Sequence, residues 1–558
     1  MSAETRPLPE ASFRKWLLAA LLLALLFQVI LVVRSPAVAR DSITFISVAK
    51  RLVGEPVETM RRADQHPGFP AMILAGRWLV SPLVPPDSVF SWVWGARLVS
   101  GIFGLLVLIA VWLLAKHTFD ERIAAITAIG VAVLPEFRQN AADALSDMPH
   151  LFFYLLAVWV VSQGMIRRRW GWFLVAGALS GLAYWIRPEG LSVAIVTVVV
   201  LPLWAWRWRT MKPRKVLLSV GAVLLATLLV SLPYWILAGK ISSKIASKAG
   251  LGASREKGVR TLLPVGPKGA SHKRVLTPFS PSLPEGSVPG ADADTASAPV
   301  PPADGQPGDD ADDFWEAAGA AVVEMMRKSA QSVRWVLILP FAVGVFAVRR
   351  PRTDQVPRIL IVALIAFHVL LLVWLYHVGG YISHRHLMPG ILLVTPWIAS
   401  GGLLIAEKIC SLLPERKGVG ADRRRGVVLV VLLAALAAAL SPRTLRPLHA
   451  REIPAMEVAL WLAGRAQPGD TVLSNSPYVP FFSELPGRFV TRREGMAGID
   501  LSKIAPPCRY VVLDKGIRGY RPEWPTQLGD RYEPVTVPGV RGGDVRTFIL
   551  RSKPPAGP

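Results

Sequence analysis

Eleven apolar stretches divide this chain, and they constrain its fold more than any other feature of the sequence. Most approach the roughly 20 residues needed to cross the hydrocarbon core of a membrane. The chain is 52% hydrophobic and only 18% charged over 558 residues. The sequence therefore predicts a mainly α-helical, polytopic transmembrane bundle. The predicted spans are about 14–33, 90–115, 122–135, 149–166, 171–186, 190–206, 216–238, 333–348, 358–376, 387–408 and 426–441.

The loops between these stretches predict the orientation of the chain. Lys and Arg concentrate in the cytoplasmic loops of membrane proteins. Every second loop follows that rule, which places the N-terminus inside and the C-terminus outside a plasma or bacterial inner membrane. The net charge of +24 has the same origin, so we expect a lipid bilayer and no nucleic acid as a partner. The basic residues of these loops are Lys116, Arg122, Arg167, Arg168, Arg169, Arg207, Arg209, Lys212, Arg214, Lys215, Arg349, Arg350, Arg352, Arg423, Arg424 and Arg425.

Changes in composition divide the chain into four predicted parts. Ser, Gly, Pro and Ala dominate one long loop, which predicts disorder. The last part alternates helix and strand patterns, with strands expected at 471–474, 509–514 and 547–551. The four parts are transmembrane helices at 1–239, an outer loop at 240–332 (disordered to 313, then an amphipathic helix near 314–332), transmembrane helices at 333–441, and a small soluble extracytoplasmic α/β domain at 442–558.

The first outer loop, residues 34–89, breaks the charge rule because it carries an excess of basic residues. Two segments in it, 43–53 and 70–80, have apolar faces with basic residues between them, which predicts helices lying in the membrane interface. Two explanations stay open for the excess charge, an anionic ligand and contact with lipid headgroups. The basic residues are Arg34, Arg40, Lys50, Arg51, Arg61, Arg62 and Arg77.

Two polar residues in this loop are candidates for chemistry. Asp41 follows the first span, where a carboxylate has a high desolvation cost unless it has a role or a partner. It is suited to act as a general base on an acceptor hydroxyl, or to cap the helix that follows. His66 lies in a turn that Pro67, Gly68 and Pro70 fix. It is suited to bind phosphate or a metal, or to cap the next helix.

Three acids lie in the outer loop between the third and fourth spans. Asp147 stands two residues before Pro149, in the form of a helix N-terminus, which makes capping its default role. Glu136 and Asp143 have no such explanation, so metal binding or contact with an acceptor is open for them. A divalent-cation site shared with Asp41 requires these loops to converge.

Two more clusters adjoin the outer ends of predicted spans. Arg187 either pairs with Glu189 or holds a phosphate, whose oxygens suit its planar fork of donors. His384, Arg385 and His386 precede a later span. A His-x-His pair alone is a poor predictor of a metal site, so we interpret this cluster as a contact with a phosphate or with lipid headgroups.

Taken in order, these features resemble the GT-C superfamily of polytopic glycosyltransferases. The resemblance covers roughly residues 10–410 and is closer to the branch that holds bacterial lipid A aminoarabinose transferases and protein O-mannosyltransferases. It rests on the position of Asp41, the turn at 66–70, the Ser146-Asp147-Met148-Pro149 entry to a span, the Arg187-Pro188-Glu189-Gly190 corner and the segment 383–389.

The resemblance implies an inverting transfer of a sugar from a polyprenyl-phosphate donor to an acceptor hydroxyl on a lipid, glycan or protein at the outer face of the membrane. Residues 1–239 would form the catalytic module, with Asp41 as the base. Arg187, Arg385 and His384 would offset charge on the leaving phosphate. Many relatives carry a second acid where this chain has Ser42, which leaves the metal requirement open.

Two other functions stay open on the sequence. A transporter or flippase for a lipid-linked or small polar solute would place ionisable residues inside the spans, where His368 is the main example, and would often show repeats. A non-catalytic assembly or sensor protein would use the C-terminal domain for binding. That function would be favoured if Asp41 lay in a buried salt bridge far from any cavity.

Overall fold

α-Helices account for most of the structure, as the apolar stretches predict. The computed structural model describes residues 11–239, 310–333, 337–347, 356–379, 381–412, 421–489, 508–514, 532–535, 537 and 547–552. The helices up to residue 239 are α1 (Ala11–Arg34), α2 (Arg40–Gly54), α3 (Pro56–Arg62), α4 (Gly68–Val80), α5 (Val89–Thr118), α6 (Glu121–Val133), α7 (Pro135–Ala142), α8 (Asp147–Arg167), α9 (Trp170–Ile186), α10 (Ser192–Trp208) and α11 (Pro213–Ala238), with a 3-10 turn at Pro188–Leu191. The later helices are α12 (Asp310–Val333), α13 (Ile338–Ala347), α14 (Val356–Gly379), α15 (His384–Leu412), α16 (Ala421–Thr444), α17 (Ile453–Ala463) and α18 (Tyr478–Ser483).

Eight helices within the described residues are long and apolar enough to cross a membrane. The prediction of a polytopic helical bundle is therefore confirmed, and the chain is a multi-pass membrane protein. Three of the eleven predicted spans are shorter helices, because α6 has 13 residues, α9 has 17 and α13 has 10. The eight long helices are α1, α5, α8, α10 with the turn before it, α11, α14, α15 and α16.

Pro135 divides the span predicted at 122–135 into two helices. α6 ends at Val133 and α7 begins at Pro135, and Leu134 between them is extended, with φ −67° and ψ 119°. A residue before proline is biased away from the helical conformation, whereas proline at the first helical position costs no hydrogen bond. The break creates the short helix that carries Glu136.

The first outer loop folds into α2, α3 and α4, which include the two segments predicted as interfacial helices. Ile43, Ile46 and Ala49 are buried and recur every three residues, so one face of α2 is apolar and packs inward. The predicted amphipathic helix is also present as α12. It begins at Asp310, so the last residues of the stretch predicted to be disordered are helical, while 240–309 lie outside the described residues.

The centre of the bundle is a row of helices formed by α5, α8, α9 and α11. α8 packs against both α5 and α9, and α9 packs against α11. Leu108 of α5, Leu155 of α8 and Phe173 of α9 are fully buried there. Because lipid is as apolar as these side chains, close packing rather than escape from water holds such helices together. The row fixes the ends of α8 and α9, which carry charged residues.

The C-terminal segment forms a mixed five-stranded sheet with α17 and α18. Its strands are β1 (Val472–Ser474), β2 (Gly487–Phe489), β3 (Tyr510–Asp514), β4 (Tyr532–Pro534) and β5 (Thr547–Ser552), in the order β2-β1-β3-β5-β4. β1 is parallel to β2 and β3, and β5 is antiparallel to β3 and β4. β1, β3 and β5 lie where the sequence predicts strands. Val38 and Phe45 share one apolar core with Met456 and Phe482, so the sheet segment packs on the first outer loop.

Candidate functional site

Five charged side chains from four segments of the chain meet at one end of the bundle. Arg385 contacts two carboxylates, with its Nη2 2.5 Å from Asp41 Oδ2 and its Nη1 3.9 Å from Asp147 Oδ2. Arg187 also contacts two, with its Nη1 2.6 Å from Asp147 Oδ1 and its Nη2 3.3 Å from Glu189 Oε1. Asp147 thus links the two arginines, and we call these five residues the ion network.

The corner between α9 and the 3-10 turn positions Arg187 and Glu189. Pro188 ends α9, because the residue before a proline is biased toward extended conformations, and Arg187 has φ −151° and ψ 143°. The turn then folds back so closely that a Cβ on Gly190 would lie 2.3 Å from the carbonyl carbon of Ala183. Because Gly190 has no side chain, the turn can bring Glu189 into contact with Arg187, which is the pairing that the sequence left open.

Exposure to solvent rises along the ion network. The side chain of Asp147 is 4% exposed, that of Arg187 19%, that of Arg385 33% and that of Asp41 50%. Burial by itself lowers the pKa of the Arg187 guanidinium, but the charges of Glu189 and Asp147 outweigh burial and raise that pKa. Two arginines and three carboxylates give the network a formal charge of −1. An anionic ligand here therefore requires further cations nearby.

The two aspartates of the network do not cap their helices. The N-cap of α2 is Ala39, and Asp41 is the second residue of the helix. Asp147 is the first residue of α8, whose N-cap is Ser146. The capping role predicted as the default for Asp147 is not observed, since its Oδ1 accepts a hydrogen bond from Arg187. Both carboxylates still lie in a first turn, where the helix dipole favours negative charge.

α12 contributes side chains that the sequence analysis did not single out. Ser332 Oγ lies 2.8 Å from His384 Nδ1, and Lys328 donates a hydrogen bond to the carbonyl oxygen of Ile382. Lys328 also pairs with Glu324 at 2.9 Å. The amphipathic pattern predicts this helix, but nothing local in the sequence specifies that it packs against the start of α15.

Comparison with known proteins identifies the fold that holds this site. A family model described as dolichyl-phosphate-mannose-protein mannosyltransferase matches residues 90–235. The crystal structure of ArnT from Cupriavidus metallidurans bound to undecaprenyl phosphate aligns over 98% of this chain and 99% of that chain, with a TM-score of 0.56 and 14% identity. The chain has the fold of this ArnT. The apo state of the same ArnT aligns over 96% and 98% of the two chains, with a TM-score of 0.55 and 14% identity. No curated protein matches the sequence at a significant level.

In this fold, His66 packs against α9 and is almost fully buried. Its Nδ1 lies 2.8 Å from the carbonyl oxygen of Tyr184, and its ring centroid lies 5.1 Å from those of Tyr184 and Tyr234. A Cβ on Gly68 would lie 2.6 Å from the carbonyl oxygen of Trp185, so the whole turn is pressed against the end of α9. The phosphate contact expected of His66 gains no support from this placement, because the ring offers little surface to a ligand.

Asp143 lies in a hydrogen-bond hub rather than in the ion network. Its Oδ1 accepts from the Ala39 amide at 3.1 Å and the Ser42 hydroxyl at 3.2 Å, and its Oδ2 lies 2.7 Å from His449 Nε2. Burial raises the pKa of this carboxyl, but the contact with His449 and the hydrogen bond from Ala39 outweigh burial and hold the pKa below its usual value. Asp143 therefore ties the start of α2 to the chain that follows α16.

The residues that the structure describes contain no group of three or more His, Cys, Asp or Glu side chains placed to hold a metal ion. Glu136 lies 3.8 Å from Arg443, and the acids of the ion network face arginines. Divalent cations such as Mg²⁺ and Ca²⁺ require several oxygen ligands. The described residues therefore do not form a suitable ligand set for the divalent cation that the sequence left open.

Proposed function

We propose that this chain is an integral membrane glycosyltransferase that moves a sugar from a polyprenyl-phosphate donor to an acceptor hydroxyl on a lipid, glycan or protein, with inversion. The observation that carries the proposal is the ion network, in which Arg385 joins the half-exposed Asp41 to the buried Asp147. The GT-C fold supports the reaction class. The lipid phosphate bound to ArnT supports the donor class.

In the proposed reaction, Asp41 is the general base. Its carboxylate accepts the proton of the acceptor hydroxyl, and the acceptor oxygen attacks the anomeric carbon of the sugar. The bond between that carbon and the donor phosphate oxygen breaks, and its electron pair leaves with the polyprenyl phosphate. Attack from the face opposite the leaving phosphate inverts the configuration. Asp41 suits this role because it is the most exposed acid of the network.

We assign the leaving phosphate to Arg385, His384 and Lys328. Arg385 is the more exposed of the two arginines. His384 precedes it in the chain and contacts Ser332 of α12. Lys328 of α12 donates a hydrogen bond to the carbonyl oxygen of Ile382, three residues before Arg385. Arg187 is less exposed and contacts both Asp147 and Glu189 within 3.3 Å, whereas the second carboxylate contact of Arg385 is 3.9 Å long, so we assign Arg187 to positioning Asp147. Protonation of Asp41 by the acceptor brings the formal charge of the network from −1 to zero, and fixed positive charge stabilises the developing phosphate anion.

The position of the network favours an enzyme over a transporter. Transporters bind their solutes near the bilayer midplane, whereas Asp147 and Arg385 are the first and second residues of their helices. The half exposure of Asp41 also weighs against a non-catalytic protein in which this residue would be buried in a local salt bridge. We place the site and the C-terminal sheet segment on the extracytoplasmic side, which follows from the loop charges.

The decisive experiment is sugar transfer in proteoliposomes from a panel of labelled polyprenyl-phosphate sugars. We expect wild-type protein to turn over one donor, and Asp41→Asn to lower the rate by about 10²–10⁴-fold. Glu58→Gln is the matched control, because Glu58 lies in the same outer loop and pairs with Arg62 on the surface. It should leave the rate unchanged.

Two outcomes would contradict the proposal. Equal turnover by wild type and Asp41→Asn would remove Asp41 as the base and direct attention to Asp147 or Glu189. No turnover of any donor by folded wild-type protein would overturn the glycosyltransferase itself and favour the transporter.

A further inference from the structure

A cavity of about 690 Å³ opens at the end of α8 that lies far from the ion network. It is formed where the loop between α8 and α9 meets the first turns of α11. Its volume is within the range of about 300–1,000 Å³ for pockets that hold small molecules. Its lining includes Arg168, Arg169, Trp170, Trp172, Lys215 and Ser219.

The polar lining of the cavity is positively charged. Arg168, Arg169 and Lys215 line it, and no acid does. None of the three pairs with an acid in the part of the chain that the structure describes. Ser219 is fully buried, and its Oγ makes no hydrogen bond. A buried hydroxyl without a partner is unfavourable, so this oxygen points to a ligand that accepts or donates a hydrogen bond here.

The apolar lining of the cavity is open to lipid. Trp170 is 55% exposed, Val175 50% and Leu218 52%, and all three line the cavity. Trp172 is held in place, because the Arg167 guanidinium lies 4.8 Å from its ring centroid. Tryptophan and half-exposed aliphatic side chains at the end of a transmembrane helix are typical of the membrane interface. The site therefore combines a cationic rim with an apolar wall.

The length of α8 separates this cavity from the ion network. α8 has 21 residues between Asp147 and Arg167, which corresponds to about 30 Å at 1.5 Å per residue. The hydrocarbon core of a bilayer is also about 30 Å thick. The cavity and the ion network thus face opposite leaflets, and the cavity is a separate site whose occupancy does not depend on the proposed function.

We infer that this cavity binds the headgroup of an anionic phospholipid from the leaflet opposite the ion network. Arg168, Arg169 and Lys215 make charge-assisted contacts with the headgroup phosphate. The acyl chains follow the apolar wall, and Ser219, buried behind the cavity with an unpartnered hydroxyl, adds a polar group to its floor. Basic pockets between transmembrane helices on the cytoplasmic side suit such headgroups, and the loop charges predict that this side is cytoplasmic.

The test is a lipid titration of the full chain in detergent, read by native mass spectrometry. The probes are dioleoyl phosphatidylglycerol, dioleoyl phosphatidylcholine and inorganic phosphate. We expect one phosphatidylglycerol to bind at least tenfold more tightly than phosphatidylcholine. Inorganic phosphate that bound as tightly as the anionic lipid would overturn the assignment to a lipid, since the apolar wall would then contribute nothing.

A matched pair of double variants tests the location. Arg168→Gly with Lys215→Gln removes two cations of the cavity, whereas Arg209→Gly with Lys212→Gln removes two cations of the next loop on the same side. Arg168 and Arg209 both have positive φ, of 53° and 49°, so glycine suits the backbone at both. We expect the first pair to weaken phosphatidylglycerol binding at least tenfold and the second to leave it unchanged.

A third variant keeps every charge and fills the space. Gly171 lines the cavity, and a Cβ added there meets no atom within 4 Å, so Gly171→Leu adds apolar volume in open space at the cavity. It should abolish tight phosphatidylglycerol binding. Unchanged binding in this variant, or equal losses in the two double variants, would overturn the inference and indicate general attraction of lipid to a basic surface.

Discussion

Burial decides what each acid of the ion network contributes. Asp41 and Asp147 both contact Arg385, yet the side chain of Asp41 is 50% exposed and that of Asp147 is 4% exposed. An exposed ion pair contributes little to stability, whereas a buried charge that loses its partner is strongly destabilising. The two carboxylates therefore share one arginine but differ in their proposed roles. Asp41 is accessible to a substrate, and Asp147 holds the two arginines in place.

Neutralising these two acids should destabilise the protein to very different extents. We expect Asp147→Asn to destabilise the protein by about 3–5 kcal/mol, because it leaves the mostly buried Arg187 without its closest carboxylate. Asp41→Asn should change stability by only about 0–1 kcal/mol while abolishing sugar transfer. Thermal unfolding in detergent, measured beside transfer activity, separates the two. Equal losses of stability would contradict the division of roles.

The hub around Asp143 should make the protein sensitive to acid. The pKa of this carboxyl is lowered in the folded protein, so the hub stabilises the fold at pH values above the ordinary aspartate pKa of about 3.9. That contribution is lost as the pH falls from there through the lowered pKa. The stability difference between wild type and Asp143→Asn should therefore shrink as the pH falls below about 4. A difference that stays constant through the acid range would contradict this.

At the scale of single elements, the corner after α9 shows how the backbone determines which charged side chains meet. Pro188 ends the helix and Gly190 lets the next turn fold against it. The charged residues at this corner could be read from the sequence. The contacts that these residues make could not be predicted, because the close approach of two backbones leaves no periodic pattern in the sequence.

A methyl group at Gly190 should disturb the ion network. We expect Gly190→Ala to lower both the unfolding temperature and the transfer rate, since its Cβ would lie 2.3 Å from backbone atoms of Ala183 and Tyr184. Gly130→Ala is the control, because a Cβ there meets nothing within 4 Å and alanine favours a helix by about 1 kcal/mol over glycine. If both variants behaved alike, the close contact at Gly190 would not be what positions Arg187.

At the scale of the whole molecule, the sequence predicted the bundle, three of the five strands of the C-terminal sheet and the charged ends of the helices. It did not predict which ends meet. Asp41 and Arg385 are 344 residues apart, and α12 reaches the start of α15 through Lys328 and Ser332. Apolar periodicity specifies each helix and its buried face, but long-range pairing depends on how the faces fit in three dimensions.

The C-terminal sheet segment should support the proposed base, Asp41, from outside the bundle. Tyr478 Oη donates to the Val38 carbonyl oxygen at 2.7 Å, three residues before Asp41. We expect Tyr478→Phe to cost about 1 kcal/mol and to increase hydrogen exchange of the α2 amides. Tyr532→Phe is the control, since its hydroxyl bonds to Cys508 within the C-terminal segment. Exchange in α2 that rises equally in both variants would contradict a specific link.

The distance along the chain between Asp41 and Arg385 also has a consequence for biosynthesis. The first of these residues leaves the ribosome early and the second after more than half of the protein has been made, so the nascent chain first holds Asp41 without the arginine that contacts it. The pair can form only when α15 has inserted beside the helices already in the bilayer. The ion network is thus assembled late in membrane insertion, with only α16 among the eight long helices still to follow.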